Sequence, residues 1–236
     1  MEKIARAIEH PRATVLFFVL TIAVLLVMRG YFPQELAIPL EGSDIRPVLL
    51  LEFASKPDHL VHIFGEIGDP ERPARIADMN MGNALDYVLM PAYGLLTLSF
   101  FFGIARETGV DVWRGVGWIG MVAAASDAIE NAIMFSMVSD MQDPLAEMAV
   151  LPFPVWIKFG LLALSCGLAA LAFIKMKRWI LAVLCLPAPL MLVPGMLDPL
   201  GKAPLATSLI ALGWLAMAIH ALTRWIAHQR DVAQNV

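Results

Sequence analysis

The sequence has little charge, little cysteine and none of the short motifs that carry the common chemistries. Only 16% of its 236 residues are charged, against about 25% in an ordinary soluble domain. The formal net charge is -4. No basic stripe is present to release counterions from phosphates, which excludes nucleic acid as a partner. The two cysteines, Cys166 and Cys185, each lie inside an apolar run. So placed, they build neither a disulfide framework nor a zinc motif, and they read as small buried hydrophobes. The sequence holds no glycine-rich phosphate loop, Gly-x-Ser-x-Gly elbow or His-Glu-x-x-His, so no motif calls for a cofactor or a metal. It also holds no internal repeat and no low-complexity segment.

What is abundant is hydrocarbon. The apolar fraction is 59%, above the roughly 45–50% of soluble domains. A soluble fold of this length has too little interior for that much apolar surface, whereas a bilayer makes the outside apolar as well. Six apolar runs come near the length needed to cross: about 13–28, 85–104, 115–138, 154–174, 179–196 and 205–226. The fold class expected is all-α, a polytopic membrane bundle of six transmembrane helices forming one membrane domain over 1–236. A long helical loop, about 30–84, joins the first two spans. The first run is short, but Arg12 and Arg29 can snorkel from its ends. Lys3, Arg6 and Arg12 resemble a signal-peptide n-region, yet Val-Met-Arg-Gly is a poor cleavage site, so an uncleaved span is expected.

Lysine and arginine bias sets the orientation. Lys175, Lys177 and Arg178 make a basic turn between spans four and five. The connection 139–152 carries Asp140, Asp143 and Glu147 and no basic residue. Both termini are therefore expected in the cytoplasm of a bacterial inner (plasma) membrane, with 30–84 outside. Within that loop, Ser55-Lys56-Pro57-Asp58 reads as a helix start with a capping-box pattern. Leu60, Ile63, Phe64 and Ile67 then follow helical spacing, as in an amphipathic helix on the membrane surface or over the bundle. Asp69-Pro70 ends that helix, and a second helical stretch leads toward span two. His59, His62 and Glu66 have a spacing that places metal ligands on one face, but a solvated polar face is the expected reading. His220 reads as a packing or interface histidine, and Pro187, Pro189 and Pro194 as the marks of a bent fifth helix. Tyr87, Trp113, Trp118, Trp156 and Trp179 lie near span boundaries as interfacial anchors.

The informative residues are the polar ones inside the runs. Span three places Asp127, Glu130 and Asn131 deep in an apolar helix. Two carboxylates there cost roughly 5–7 kcal/mol, while the large apolar residues of the span return only about 3 kcal/mol. Neighbouring helices must satisfy them. All three polar residues share one helical face with Gly117, Gly120, Ala123 and Ala124, small residues that admit a close neighbour. Span two offers a matching stripe, Asp86, Met90, Tyr93 and Thr97, with Pro91 beside it as a possible kink. Span four carries Lys158 about one turn in, with Ser165 two turns further on the same face. Depth places Asp86, Asp127, Glu130 and Lys158 together. Three acids against one ammonium leave at least one carboxyl holding its proton. A proton shared between carboxyls suits general acid/base chemistry or a proton relay.

Three segments together, Asp86-Tyr87-Val88-Leu89-Met90-Pro91-Ala92-Tyr93-Gly94, Ser126-Asp127-x-x-Glu130-Asn131 and Trp156-x-Lys158-Phe159, resemble small bacterial polytopic membrane proteins without an assigned activity. Leu51-Glu52-Phe53-Ala54 belongs to the same pattern, which covers roughly residues 50–160. The resemblance implies no reaction, and the histidine-rich motifs of desaturases and the motifs of rhomboid and CAAX proteases are not matched.

The leading expectation is a membrane-embedded enzyme or binding protein for a lipid-like or amphiphilic molecule. Its pocket opens toward the outer leaflet under the 30–84 loop as a lid. Asp127 and Glu130 are the acid/base candidates. Lys158 tunes them or holds an anionic head group, and Asp86, Tyr93 and Asn131 orient the ligand. A proton- or cation-coupled carrier and a structural or assembly protein with a polar packing cluster are the alternatives. No cofactor or metal is expected; membrane lipids are the expected partners.

Overall fold

Proline sets the start of most of the helices. The computed structural model describes residues 7–234. The helices in chain order are α1 (Pro11–Arg29), α2 (Pro47–Glu52), α3 (Pro57–Phe64), α4 (Arg72–Thr108), α5 (Val112–Ser139), α6 (Leu145–Val150), α7 (Pro152–Lys175), α8 (Trp179–Cys185), α9 (Pro187–Leu197) and α10 (Pro199–Gln234). Proline suits a first helical position because its φ is already helical and its missing N–H would have had no intrahelical partner there. Among the described residues, six helical segments are long and apolar enough to cross a membrane, with α8 and α9 making one of them. Large apolar side chains on the outside of the bundle stay exposed, including Leu16, Val122, Ile157, Leu171 and Leu190. That is the surface a bilayer covers and water would not.

The expected spans recur with longer ends. α4 begins at Arg72 rather than near residue 85, and its 37 residues reach about 55 Å, well beyond a hydrocarbon core of about 30 Å. Hydropathy hides this extension because Arg75, Asp78, Asn80 and Asn83 are polar. Tertiary contacts fix it: Met79 and Asn83 are buried, and Arg75 pairs with Asp69 at 2.7 Å. α4 runs unbroken through Pro91. The fifth crossing is interrupted at Leu186, where Pro187 opens α9 without a donor for the preceding turn.

α2 and α3, which lie between α1 and α4 in the chain, pack onto the bundle, α2 against α5 and α10 and α3 against α4. Leu50, Leu51, Ile63 and Phe64 are wholly buried. α3 starts at Pro57 as its sequence indicates, but there is no capping box: Lys56 holds the cap position without a side-chain bond. The Ser55 N–H instead donates to His59 Nδ1 at 3.4 Å. His59 is therefore buried and not on a solvated face, and its desolvation lowers its pKa. His62 Nδ1 lies 2.9 Å from the Ile38 carbonyl oxygen. Among the described residues, no three side chains are grouped to hold a metal. Ile67 leaves the apolar face and is 86% exposed, because Gly65 ends the helix at a positive φ (φ 90°, ψ 173°) that favours glycine. Trp113, expected as an interfacial anchor, is buried instead, stacked on Phe101 at 5.8 Å beneath Lys175.

The α4–α5 pairing positions the polar residues, and it depends on missing side chains. A Cβ on Gly120 would lie 2.5 Å from Thr97 Cβ, and one on Gly117 would lie 3.2 Å from the Leu98 carbonyl oxygen. The two backbones can approach this closely only at glycine. Gly120→Ala is expected to cost about 1–3 kcal/mol through overpacking. Gly115→Ala meets nothing within 4 Å and is expected to be neutral or stabilising by up to about 1 kcal/mol. Thermal unfolding in detergent separates the two; equal midpoints would contradict the close α4–α5 approach.

Candidate functional site: a buried ammonium among four carboxyls

Lys158, on α7, is the hub. Its ammonium lies 2.8 Å from Glu130 Oε1, 3.1 Å from Asp127 Oδ1 and 3.5 Å from Glu52 Oε1. Glu130 and Asp127 come from one face of α5, three residues apart, and Glu52 closes the ring as the last residue of α2. Glu130 is wholly buried and Lys158 is 5% exposed. The ammonium also sits 4.6 Å from the Phe159 ring centre. An unpaired ion at such a place would cost several kcal/mol, and pairing at this geometry offsets that cost.

α4 supplies the adjoining shell. The Tyr93 hydroxyl donates to Asp127 Oδ2 at 2.9 Å, and the Tyr93 ring stacks on Trp214 of α10 at 5.5 Å. Asn131 Nδ2 donates to Asp86 Oδ2 at 3.0 Å and to the Asn83 carbonyl oxygen at 3.1 Å. Ser126 ties α5 to α7 by donating to the Pro154 carbonyl oxygen. The structure thus gathers the six expected residues into two bonded groups, Tyr93–Asp127–Lys158–Glu130 and Asn131–Asp86. Thr97 is turned into the α4–α5 contact and bonds the Tyr93 carbonyl oxygen. Ser165 bonds the Leu162 carbonyl oxygen within its own helix.

A cavity of about 300 Å³ opens beside this cluster. Asp86, Tyr93, Asp127, Asn131 and Lys158 line it, while Glu130 stands behind Lys158 and does not. The carboxyls that line the cavity are those of Glu52, Asp86 and Asp127. Apolar side chains of α1, α4, α7 and α10 form the walls. Three lining residues keep a buried polar atom with neither a hydrogen bond nor an ion pair: Glu52 Oε2, Asn83 Nδ2 and Trp214 Nε1. Such atoms cost about 1–3 kcal/mol each unless something bonds them.

Glu52, Asn83, Trp214 and two arginines, Arg29 and Arg46, are missed by reasoning from spans alone. Glu52 was visible as a lone acid in the apolar run 47–54 and inside the Leu51-Glu52-Phe53-Ala54 pattern. Asn83 lies one turn before Asp86 on the same stripe. Burial pushes the Glu52 carboxyl above its ordinary value, with Lys158 opposing and Asp127 adding to the rise. At the other end of the bundle, His220 Nε2 lies 3.1 Å from Glu107 Oε2 and its ring packs against Phe100 and Phe173. That makes it a packed, paired histidine remote from the cluster. No family model matches the sequence, and neither a curated protein nor a solved structure is similar to it.

Two outcomes test this geometry. Lys158→Met leaves three neighbouring carboxyls without their cation and is expected to cost about 3–5 kcal/mol. Adding Glu130→Gln is expected to restore part of that loss in a double-mutant cycle. Additive losses in chemical denaturation would contradict the pairing. Glu52 sets a pH dependence. Its folded-state pKa lies above its unfolded one, so its contribution to stability is full below the ordinary glutamate value of about 4.3. It is lost as pH rises through the folded value. Melting temperature should therefore fall less with rising pH in Glu52→Gln than in the wild type; parallel curves would contradict the assignment.

Proposed function

We propose that the protein binds an amphiphilic, lipid-like molecule in the cavity between α1, α4, α5, α7 and α10, and presents its head group to Asp127 for acid/base chemistry. One observation carries the reading. A cavity with apolar walls ends on buried, charged and incompletely bonded groups, the form of a site that holds a chain along its walls and a polar head at its end. Asp127 is the acid/base group because its side chain lines the cavity, with one oxygen held by Tyr93 and the other 3.1 Å from the Lys158 ammonium. Lys158 and Glu130 hold its position and charge, and Asp86 and Asn131 shape the floor. A head group is not held by Lys158 through an anionic charge, since carboxyls already surround that ammonium.

In this reading the segment carrying α2 and α3 is a lid on the outer face of a bacterial inner membrane, with both termini in the cytoplasm. The interior of the bundle favours binding over carriage. Between Tyr93 and Glu107 on α4, the path toward the other end is filled by buried Leu96, Phe100 and Phe101 together with Phe173 of α7.

Native mass spectrometry of the purified protein tests the proposal. A co-purifying amphiphile is expected on the wild type. Occupancy should fall by about tenfold in Ala211→Phe, which fills the lined space at a cost of about 1.4 kcal/mol in binding. Any conversion of that amphiphile should stop in Asp127→Asn while binding persists. Equal occupancy in wild type and Ala211→Phe, or conversion by Asp127→Asn at the wild-type rate, would overturn the reading.

A further inference from the structure

The cavity is electrically two-ended. Arg29, the last residue of α1, and Arg46, which precedes α2, both line it and are exposed. Among the described residues, neither guanidinium has a carboxylate at ion-pair distance. The opposite end holds four carboxyls, Glu52, Asp86, Asp127 and Glu130, against the one ammonium of Lys158. α2 spans the two ends. Arg46 stands before its first residue and Glu52 is its last, six positions apart, or about 9 Å along a helical axis. Both residues line the same cavity.

We propose that the ligand's head is zwitterionic, with a phosphate-like anion at Arg29 and Arg46 and a terminal primary ammonium against Glu52 and Asp127. The inference rests on the proposal that the cavity holds an amphiphile, and it names that molecule's class. An anion at the deep end would face three carboxyls, Glu52, Asp86 and Asp127, with Glu130 behind them. A head carrying only positive charge would leave the two arginines facing a like charge at the mouth. A quaternary ammonium has no N–H for the buried acceptor Glu52 Oε2, which has no partner, nor for Asp127 Oδ1, whose one neighbouring cation is Lys158 at 3.1 Å. A primary ammonium supplies three donors to that end, and guanidinium pairs phosphate through paired N–H groups. With the phosphate at the mouth, the chain leaves along Leu25 and Met28 of α1, where α10 contributes Thr207 and Ala211.

The test titrates the full-length protein in detergent, by native mass spectrometry, with three single-chain amphiphiles of identical acyl chain. Their heads are phosphoethanolamine, phosphocholine and phosphoglycerol. Phosphoethanolamine is expected to bind at least about tenfold more tightly than either of the others. Arg29→Gln with Arg46→Gln should weaken all three by about tenfold or more, and these exposed positions lie outside the packed cluster. Glu52→Gln should cut the preference over phosphocholine to about threefold or less while leaving phosphoglycerol affinity in place. Equal affinities for the three heads, or a preference that survives Glu52→Gln, would overturn the zwitterionic head and leave amphiphile binding standing. Failure of all three to bind would overturn both.

Discussion

One ammonium holds three structural elements together. Lys158 enters the bundle on α7 and meets Glu130 and Asp127 of α5 and Glu52 of α2 within 3.5 Å. None of these groups tolerates an apolar interior alone. Their mutual satisfaction forces α7 against α5 and pulls the segment between α1 and α4 down onto the bundle. The cavity follows from the same constraint, because the side chains that complete the ring also form one end of it.

The price is incomplete bonding. Glu52, Asn83 and Trp214 each retain a buried polar atom without a partner where they line the cavity. A purely structural polar knot would be expected to close on itself, as the Asn131–Asp86 and Ser126–Pro154 contacts do. Behind the cluster, Glu130 is shut away from the cavity, and along α4 Leu96 and Phe100 separate Tyr93 from the Glu107–His220 pair. The molecule thus has a polar cavity of about 300 Å³ at the Lys158 end, another of about 270 Å³ beside the Glu107–His220 pair, and packed apolar side chains between them.

Much of this was legible in the sequence because bilayers leave few ways to place a charge. Asp127, Glu130 and Lys158 stand out in apolar runs, and their spacing along α5 and their depth in α7 put them together. Gly117 and Gly120 likewise advertise a close helix neighbour, and the structure places Thr97 and Leu98 there. What was not legible depends on the segment between the first two spans. No periodicity in 30–56 says that Glu52 turns inward or that Arg29 and Arg46 share a cavity, because those placements come from tertiary packing of a six-residue helix. The same segment explains the misread histidine: His59 accepts the Ser55 N–H and is covered, a contact that helical spacing alone does not encode. The helical stretch expected before the second span is continuous with it in α4, where packing of Met79 and Asn83 carries the helix through polar residues.

The account is tested most directly by a high-resolution structure of the protein in a lipid nanodisc. It predicts the Lys158 ammonium within about 3.5 Å of both Glu130 and Asp127, a charge-assisted hydrogen-bond distance. It also predicts elongated density running from Glu52 and Asp127 past Arg29 and Arg46 toward the α1–α10 seam. A Lys158 side chain turned away from α5, or a space between those helices closed by side chains with no elongated density, would contradict it.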